Sequence, residues 1–332
     1  MSTYRIFGSE LSPYSVKVRS YFRYKGLPHE WIPRSPAVQA EFQKYAKLPL
    51  VPLVVTPEGE GVQDSTPILE RLEASRPEPS IVPDDATLAF ISALLEEYGD
   101  EWGNKWMFHY RWRYQADAWS TAERIAQQMM GAQGTLAVAQ ARAAVAERMM
   151  GRLGFVGSND RTQPAIEASF KRALALLEAH LQTRPYILGG RPAMADFGLW
   201  AQFYEAATDP TPGAIMRASS PKVMAWVQRM VSPQSEGPFE AWSALAPTLM
   251  PLLKDEVGAL FLPWTVANAA AIERGDKNFE MSLGGASWSQ EPQKYHARAL
   301  AEIRRKYAAA KGAPGLETIL KESGCLPYLT SP

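Results

Sequence analysis

The chain has 332 residues, which at roughly 100–200 residues per domain means two domains, or two with an appendage. Its 46% apolar and 21% charged content gives an ordinary globular composition able to build a large core, and 35 basic residues cancel 35 acidic ones, so no global field draws it to nucleic acid or an anionic membrane. Cys325 is the single cysteine, which excludes an internal disulfide, a thiolate metal site and a Cys-x-x-Cys redox pair.

The first 75 or so residues alternate in type. Tyr4 to Phe7 reads as a strand, and Ser12-Pro13 is a helix start with Ser as cap and Pro at the first helical position. Val18, Tyr21 and Phe22 then form an apolar stripe opposite Lys17, Arg19 and Arg23, and Gly26 ends the helix. His29 to Ile32 is a second strand, Ala37 to Ala46 a short helix, and Leu50 to Val55 a β-branched run. Pro57 to Gly61 turns the chain into a return strand at Val62-Gln63, and Thr66-Pro67 opens a helix to about Ser75. The order βαβ, helix, ββα gives parallel pairing through a right-handed crossover plus an antiparallel hairpin, the order of a thioredoxin-like α/β domain.

Pro77, Pro79 and Pro83 mark a linker. Beyond it, helical patterning predicts helices near 87–115, 116–130, 135–152, 163–181, 193–207 and 220–231. In the last hundred residues, helices at 245–273 and 293–310 flank a short hairpin through Gly284-Gly285. The longest weakly polar run, Gly258 to Ile272, is shorter than the about 18 residues that would suggest a bilayer span. The opening MSTYRIFGSE lacks the apolar stretch of a secretory signal, so a reducing cytoplasm is expected.

Three sites carry possible chemistry. Ser12 lies where the first strand meets a helix N-terminus, whose dipole and free N–H groups stabilise an anion; it either caps the helix or presents a hydroxyl to a thiolate arriving on a ligand. Val51-Pro52 interrupts a strand-like run; a cis bond there would leave the Val51 backbone free to pair with an extended peptide, although trans is the commoner form. Gln63-Asp64-Ser65-Thr66-Pro67 repeats the helix-start arrangement, either as a cap or as a hydroxyl and carboxylate suited to the two ends of an α-amino acid.

Taken jointly, Ser-Pro at the first helix, Val-Pro some 40 residues on and Asp-Ser a dozen later resemble the N-terminal domain of the cytosolic glutathione transferase superfamily. Gly189-Gly190-Arg191-Pro192-Ala193-Met194-Ala195-Asp196-Phe197 resembles that family's helix-capping segment, with Ala193 where the family carries Ser or Thr. The resemblance covers residues 3–232 and implies a thioredoxin-like glutathione-binding domain (1–76), a linker (77–86) and an all-α substrate domain (87–237), with residues 238–332 as a mostly helical C-terminal extension packed on it. It implies glutathione as co-substrate, with Ser12 as the catalytic contact to its sulfur and Tyr14 or Ser15 as alternatives. Val51 before a cis Pro52 would pair with the cysteinyl unit, Asp64 and Ser65 with the γ-glutamyl amine and carboxylate, assisted by Gln63, and Lys47 with the glycyl carboxylate. With no cysteine near Ser12, thiol reduction through mixed disulfides is not expected.

On a helix, Trp102, Trp106 and His109 fall on one face. With Tyr110 and Tyr14 they form either an aromatic wall for a flat, hydrophobic electrophile or a core stripe beside a solvated acidic face made by Glu96, Glu97, Asp100 and Glu101. The lone histidine there argues against a metal site. The basic helix carrying Lys294 to Lys306 reads as a solvated face rather than a nucleic-acid site. The function expected is attack of the glutathione thiolate on a hydrophobic, aromatic electrophile in a homodimeric enzyme, with no nucleic acid and no membrane involved. The alternative is a catalytically weak transferase-like scaffold for protein partners.

Overall fold

In the computed structural model, which describes residues 3–330, strands β1 (Tyr4–Gly8), β2 (His29–Pro33), β3 (Leu53–Val55) and β4 (Gly61–Gln63) make one sheet in the order β2-β1-β3-β4. β1 and β2 run parallel, and the other pairs antiparallel, with Ile6 opposite both Trp31 and Val54. Helices α1 (Pro13–Tyr24), α2 (Gln39–Tyr45) and α3 (Ser65–Ser75) complete the thioredoxin-like unit expected from the sequence. β3 begins at Leu53 rather than at Leu50, because Pro52 has no N–H to give the ladder. The Val51–Pro52 bond is cis.

The helical part follows as α4 (Ala86–Glu97), a wide π-type turn Tyr98–Gly103, α5 (Asn104–Arg113), α6 (Gln115–Met130), α7 (Thr135–Met150), α8 (Gln163–His180), α9 (Met194–Thr208), α10 (Pro210–Ser219) and α11 (Pro221–Arg229). The helix expected over 87–115 is present as one continuous run over 86–113, wound as a wider π-helix over residues 98–103, and α10 was not anticipated. This π-helical segment packs closely on α9: a Cβ on Gly99 would lie 2.6 Å from the Leu199 amide nitrogen, and one on Gly198 would lie 2.7 Å from the Glu96 carbonyl. Backbone meets backbone where this segment crosses α9. At the start of α9, Asp196 keeps half of a capping box, accepting the Ala193 N–H at 2.9 Å while also holding the Ile187 N–H and the Trp226 indole N–H.

Residues 242–330 form α12 (Trp242–Leu252), a second wide turn Leu253–Phe261, α13 (Leu262–Arg274), the hairpin β5 (Phe279–Leu283) and β6 (Ala286–Gln290), α14 (Lys294–Ala310), α15 (Leu316–Glu322) and α16 (Leu326–Thr330). The hairpin lies where expected. This extension is sewn to the helical part by buried polar groups. Glu256 accepts from Tyr98 at 2.9 Å, Ser169 at 2.5 Å and Arg172 at 2.7 Å, and Ser169 in turn accepts from the indoles of Trp102 and Trp106, both at 2.9 Å. Among the described residues no helix is long and apolar enough to cross a membrane.

α1 is packed between the sheet and α9, and nearly all of its faces are closed. The stripe-and-opposite-face reading therefore fails at Lys17, which is fully buried. Its ammonium is paired with Glu96 and with Asp100 at 2.6 Å, and bonds the Thr66 hydroxyl at 3.1 Å. Equally, Glu96, Glu97, Asp100 and Glu101 are not a solvated acidic face; all four are buried.

Candidate active site

Ser12 stands at the N-cap of α1, partly exposed, with extended backbone (φ −111°, ψ 114°) and a side-chain oxygen that accepts the Ser15 N–H at 3.3 Å. The capping role is therefore filled. It uses a lone pair and leaves the hydroxyl proton free to donate outward. Pro13 at the next position has no N–H to satisfy. The two alternatives to Ser12 are occupied or enclosed. The Tyr14 hydroxyl donates to the Asp100 carbonyl at 3.0 Å, and burial, with Asp100 nearby, lifts its pKa well above the ordinary phenol range. Ser15 is fully buried, its hydroxyl without a hydrogen-bond partner.

The second helix start differs from the first in an informative way. Asp64 occupies the N-cap of α3 at φ +79°, the only non-glycine positive φ among the described residues, and its carboxylate makes no capping hydrogen bond. A left-handed φ on a residue with a side chain costs on the order of 1–3 kcal/mol and tends to persist where a side chain must be aimed. The carboxylate instead accepts the Tyr295 hydroxyl at 2.8 Å, from α14, 231 residues further along the chain. Ser65 follows at the first helical position and is buried.

Gln63 is not a free ligand group. Its carboxamide accepts the N–H of Lys47 at 2.7 Å and of Leu48 at 3.0 Å, and donates to the carbonyls of Leu48 at 2.9 Å and Leu50 at 2.8 Å. All four of its hydrogen bonds clamp the 47–50 loop that leads to Val51 and Pro52. The Lys47 side chain is exposed beside this clamp, and Val51 is partly exposed.

The aromatic wall is a correction. Trp106 and Tyr110 are each 1% exposed and His109 is fully buried. Trp106 packs on Tyr98, Phe170 and Phe203, and Tyr110 on Phe170 and Tyr114. The His109 ring bonds Ser158 at 2.7 Å and Glu167 at 3.3 Å, with burial pulling its pKa down. Trp102, also 1% exposed, packs edge-to-face on Trp264 and at a tilt on Trp288 of the extension. It borders an apolar cavity of about 220 Å³ with Pro164, Leu260 and Leu283, which no other expected site residue lines. The wall is core, with Trp102 at the seam with the extension.

What Asp64 does border is a cavity of about 370 Å³ between α3, the α4 turn and α14. Asp64, Glu70, Glu97, Asp100, Glu101 and Glu302 line it, with Tyr295 and Arg298 from α14. Burial lifts the Asp100 carboxyl to about 7 despite Lys17, and Glu96 adds to the rise. Burial also works against the Lys17 charge, but Asp100 and Glu96 outweigh it and hold the ammonium above its ordinary range. The sequence reading missed Lys17, Tyr295 and this cavity. The signal for the first was present: four acids at 96, 97, 100 and 101 lie among Leu94, Leu95 and Tyr98, so a helix that buries the apolar set also takes acids inward. Nothing local could have paired Tyr295 with Asp64. The α14 basic helix is only partly solvated, since Lys306 reaches Glu70 at 2.7 Å and His296 contacts Glu101.

Two family models match the chain, one for the N-terminal domain of glutathione S-transferases over residues 6–80 and one for their C-terminal domain over residues 135–229, together just over half of it. No curated protein matches. Among solved structures, a glutathione S-transferase from Methylobacterium radiotolerans, in complex with glutathione sulfonate, is 20% identical over 72% of this chain and 96% of its own, with a TM-score of 0.42. One from Rhodospirillum rubrum is 17% identical over 75% and 91%, with a TM-score of 0.48. A beta-etherase from a Sphingobium strain is 20% identical over 69% and 95%, with a TM-score of 0.44.

Proposed function

The chain belongs to the cytosolic glutathione transferase superfamily, and from that premise we propose that it is a glutathione-dependent transferase with a serine-type site. The observation that carries the reading is Asp64. A residue held at positive φ at a helix start, yet not capping that helix, has its carboxylate directed away from the helix, where Tyr295 donates one hydrogen bond and acceptor capacity remains for an ammonium. In this reading Asp64 takes the γ-glutamyl amine, Ser65 and the α3 N–H groups its carboxylate, and the Val51 backbone the cysteinyl unit, with Lys47 near the glycyl end. Gln63 acts at one remove, by fixing the 47–50 loop.

Ser12 and the N-terminus of α1 would lower the thiol pKa from its ordinary ~8.5 toward neutrality. The thiol proton leaves to solvent. The sulfur lone pair then forms a C–S bond to an electrophilic carbon, and the leaving group departs with the bonding pair. The Ser12 hydroxyl donates to sulfur while its oxygen still accepts from Ser15, so both demands are met at once. The electrophile is a small organic molecule held outside the Trp106–Tyr110 core. Cys325 does not compete as a nucleophile, being buried with its thiol pushed up to about 12. A cytoplasmic homodimer completes the reading, and sedimentation that finds only monomer at micromolar concentration refutes that part.

The test is a calorimetric titration with reduced glutathione of the wild type, Ser65→Ala and Ser12→Ala, followed by turnover with an activated aryl halide. Binding weakened in Ser65→Ala, with binding kept but turnover cut at least tenfold in Ser12→Ala, is the expected pattern. No binding at millimolar glutathione removes the enzyme reading, and full activity in Ser12→Ala removes Ser12 as the sulfur contact.

A further inference from the structure

The acid-lined cavity gathers more carboxyl groups than its ion pairs satisfy. Of its six carboxylate side chains, Asp100 is paired with Lys17, Glu70 with Lys306, and Glu302 with Arg305 at 2.6 Å. The remaining three form no ion pair with a described lysine or arginine. Asp64 has only the Tyr295 hydroxyl. Glu101 faces His296, whose imidazole burial holds near 4 and hence neutral at pH 7. Glu97 is 7% exposed and makes neither a hydrogen bond nor an ion pair with any described residue. A further acceptor, Oδ1 of the 6% exposed Asp100, is also buried and unpartnered. Such groups carry a full desolvation cost, so their retention along a cavity wall points to something that enters it.

What enters must be cationic and extended. Among the described residues no group of three or more His, Cys, Asp or Glu side chains converges so as to hold a metal ion. The carboxylates are instead strung from α3, across the α4 turn, to α14. An ammonium offers three N–H donors to such acceptors, and a chain bearing two or more of them matches their spread better than one point charge. The volume of about 370 Å³ lies in the range of small-molecule sites. We propose that this cavity, closed on one side by α14, is a binding site for an aliphatic diamine or polyamine, distinct from the glutathione thiol contact at Ser12. Burial, then the neighbouring Glu96, pushes the Glu97 carboxyl well above its ordinary range, which favours its neutral form in the empty cavity, and an entering ammonium would favour the ionised one. Lys306 and Lys17 partly offset this rise from outside the cavity, and the exposed Arg298 is the one basic residue among those lining it.

Calorimetric titration of the full chain with spermidine, 1,4-diaminobutane, butylamine and magnesium chloride tests this, and the binding should be independent of any thiol chemistry. The expected result is saturable binding of spermidine and the diamine, at least tenfold tighter than butylamine, and not displaced by equimolar magnesium. Glu97→Gln should weaken it about tenfold or more, Arg298→Ala should tighten it, and Ser12→Ala should leave it unchanged. A gain in Arg298→Ala cannot arise from misfolding. Absence of saturable diamine binding at millimolar concentration overturns the proposal whatever glutathione does. So does binding abolished by Asp64→Asn yet untouched by Glu97→Gln, which would make the cavity no more than the amine end of the glutathione site.

Discussion

Replacing Lys17 by Met removes the one cation buried with Glu96 and Asp100, while keeping the length and apolar stem of the side chain. Breaking a buried ion pair by deleting one partner typically costs 3–5 kcal/mol, because the other charge is left uncompensated. The structure sets an independent ceiling. Rather than hold two bare anions, the variant can protonate one carboxyl more than the wild type, at 1.36 kcal/mol for each pH unit above an ordinary carboxyl pKa near 4. That is about 4 kcal/mol at pH 7 and about 1.4 kcal/mol at pH 5. Since the folded variant carries the extra proton and its unfolded chain does not, its stability falls relative to wild type as pH rises. Urea unfolding followed by tryptophan fluorescence, at both pH values, measures this directly. A loss below 1 kcal/mol at pH 7, or the same loss at pH 5, would refute the view that Lys17 is held by charge rather than by packing.

Gly99→Ala forces a Cβ to within 2.6 Å of the Leu199 backbone and should lower stability by about 1–3 kcal/mol or more in thermal unfolding, whereas Gly103→Ala meets side chains rather than backbone, Gln202 at 3.1 Å and Trp106 at 3.4 Å, and should cost clearly less. Asp64→Gly relieves the positive φ, so stability should stay within about 1 kcal/mol of wild type while glutathione affinity falls; loss of both together would contradict the reading of Asp64 as a directed, strained residue. His180 bonds the Ile187 carbonyl at 2.8 Å and Thr248 at 2.7 Å, and burial, with Arg184 nearby, lowers its pKa from 6.5 to about 4. The folded state keeps this imidazole neutral while the unfolded chain takes up a proton, so its contribution is complete above pH 6.5 and is lost, up to about 3 kcal/mol, as pH falls toward 4. In His180→Gln that component should vanish, and a stability gap from wild type that stays constant between pH 7 and pH 4 would count against it.

The sequence by itself determined the elements whose signals are local. Ser12-Pro13 starts a helix because a capping hydroxyl and a ring that lacks N–H suit that position in any context, and Thr66-Pro67 falls in the first turn of α3, one residue after its start at Ser65. Alternation through Gly284-Gly285 makes a hairpin for the same reason, since the turn and the strands on either side of it are neighbours in the chain. The joint spacing of Ser12, Val51-Pro52 and Asp64-Ser65 carried the family. Tertiary structure decided everything that depends on what lies across a surface. Periodicity placed Lys17 opposite the apolar stripe, but α1 is covered on both sides, so its polar face became a buried ion-pair site. Trp102, Trp106 and Tyr110 have the same amphipathic rings in a core as in a substrate wall; Trp264 and Trp288 of the extension cover Trp102, while Phe170, Phe203 and Tyr114 of the helical part enclose Trp106 and Tyr110. Asp64 reads as an ordinary cap until its φ is seen, and Tyr295 has no sequence relation to it at all. Burial, pairing of charges and closure of a cavity are properties of two surfaces together, and each surface alone encodes only its half.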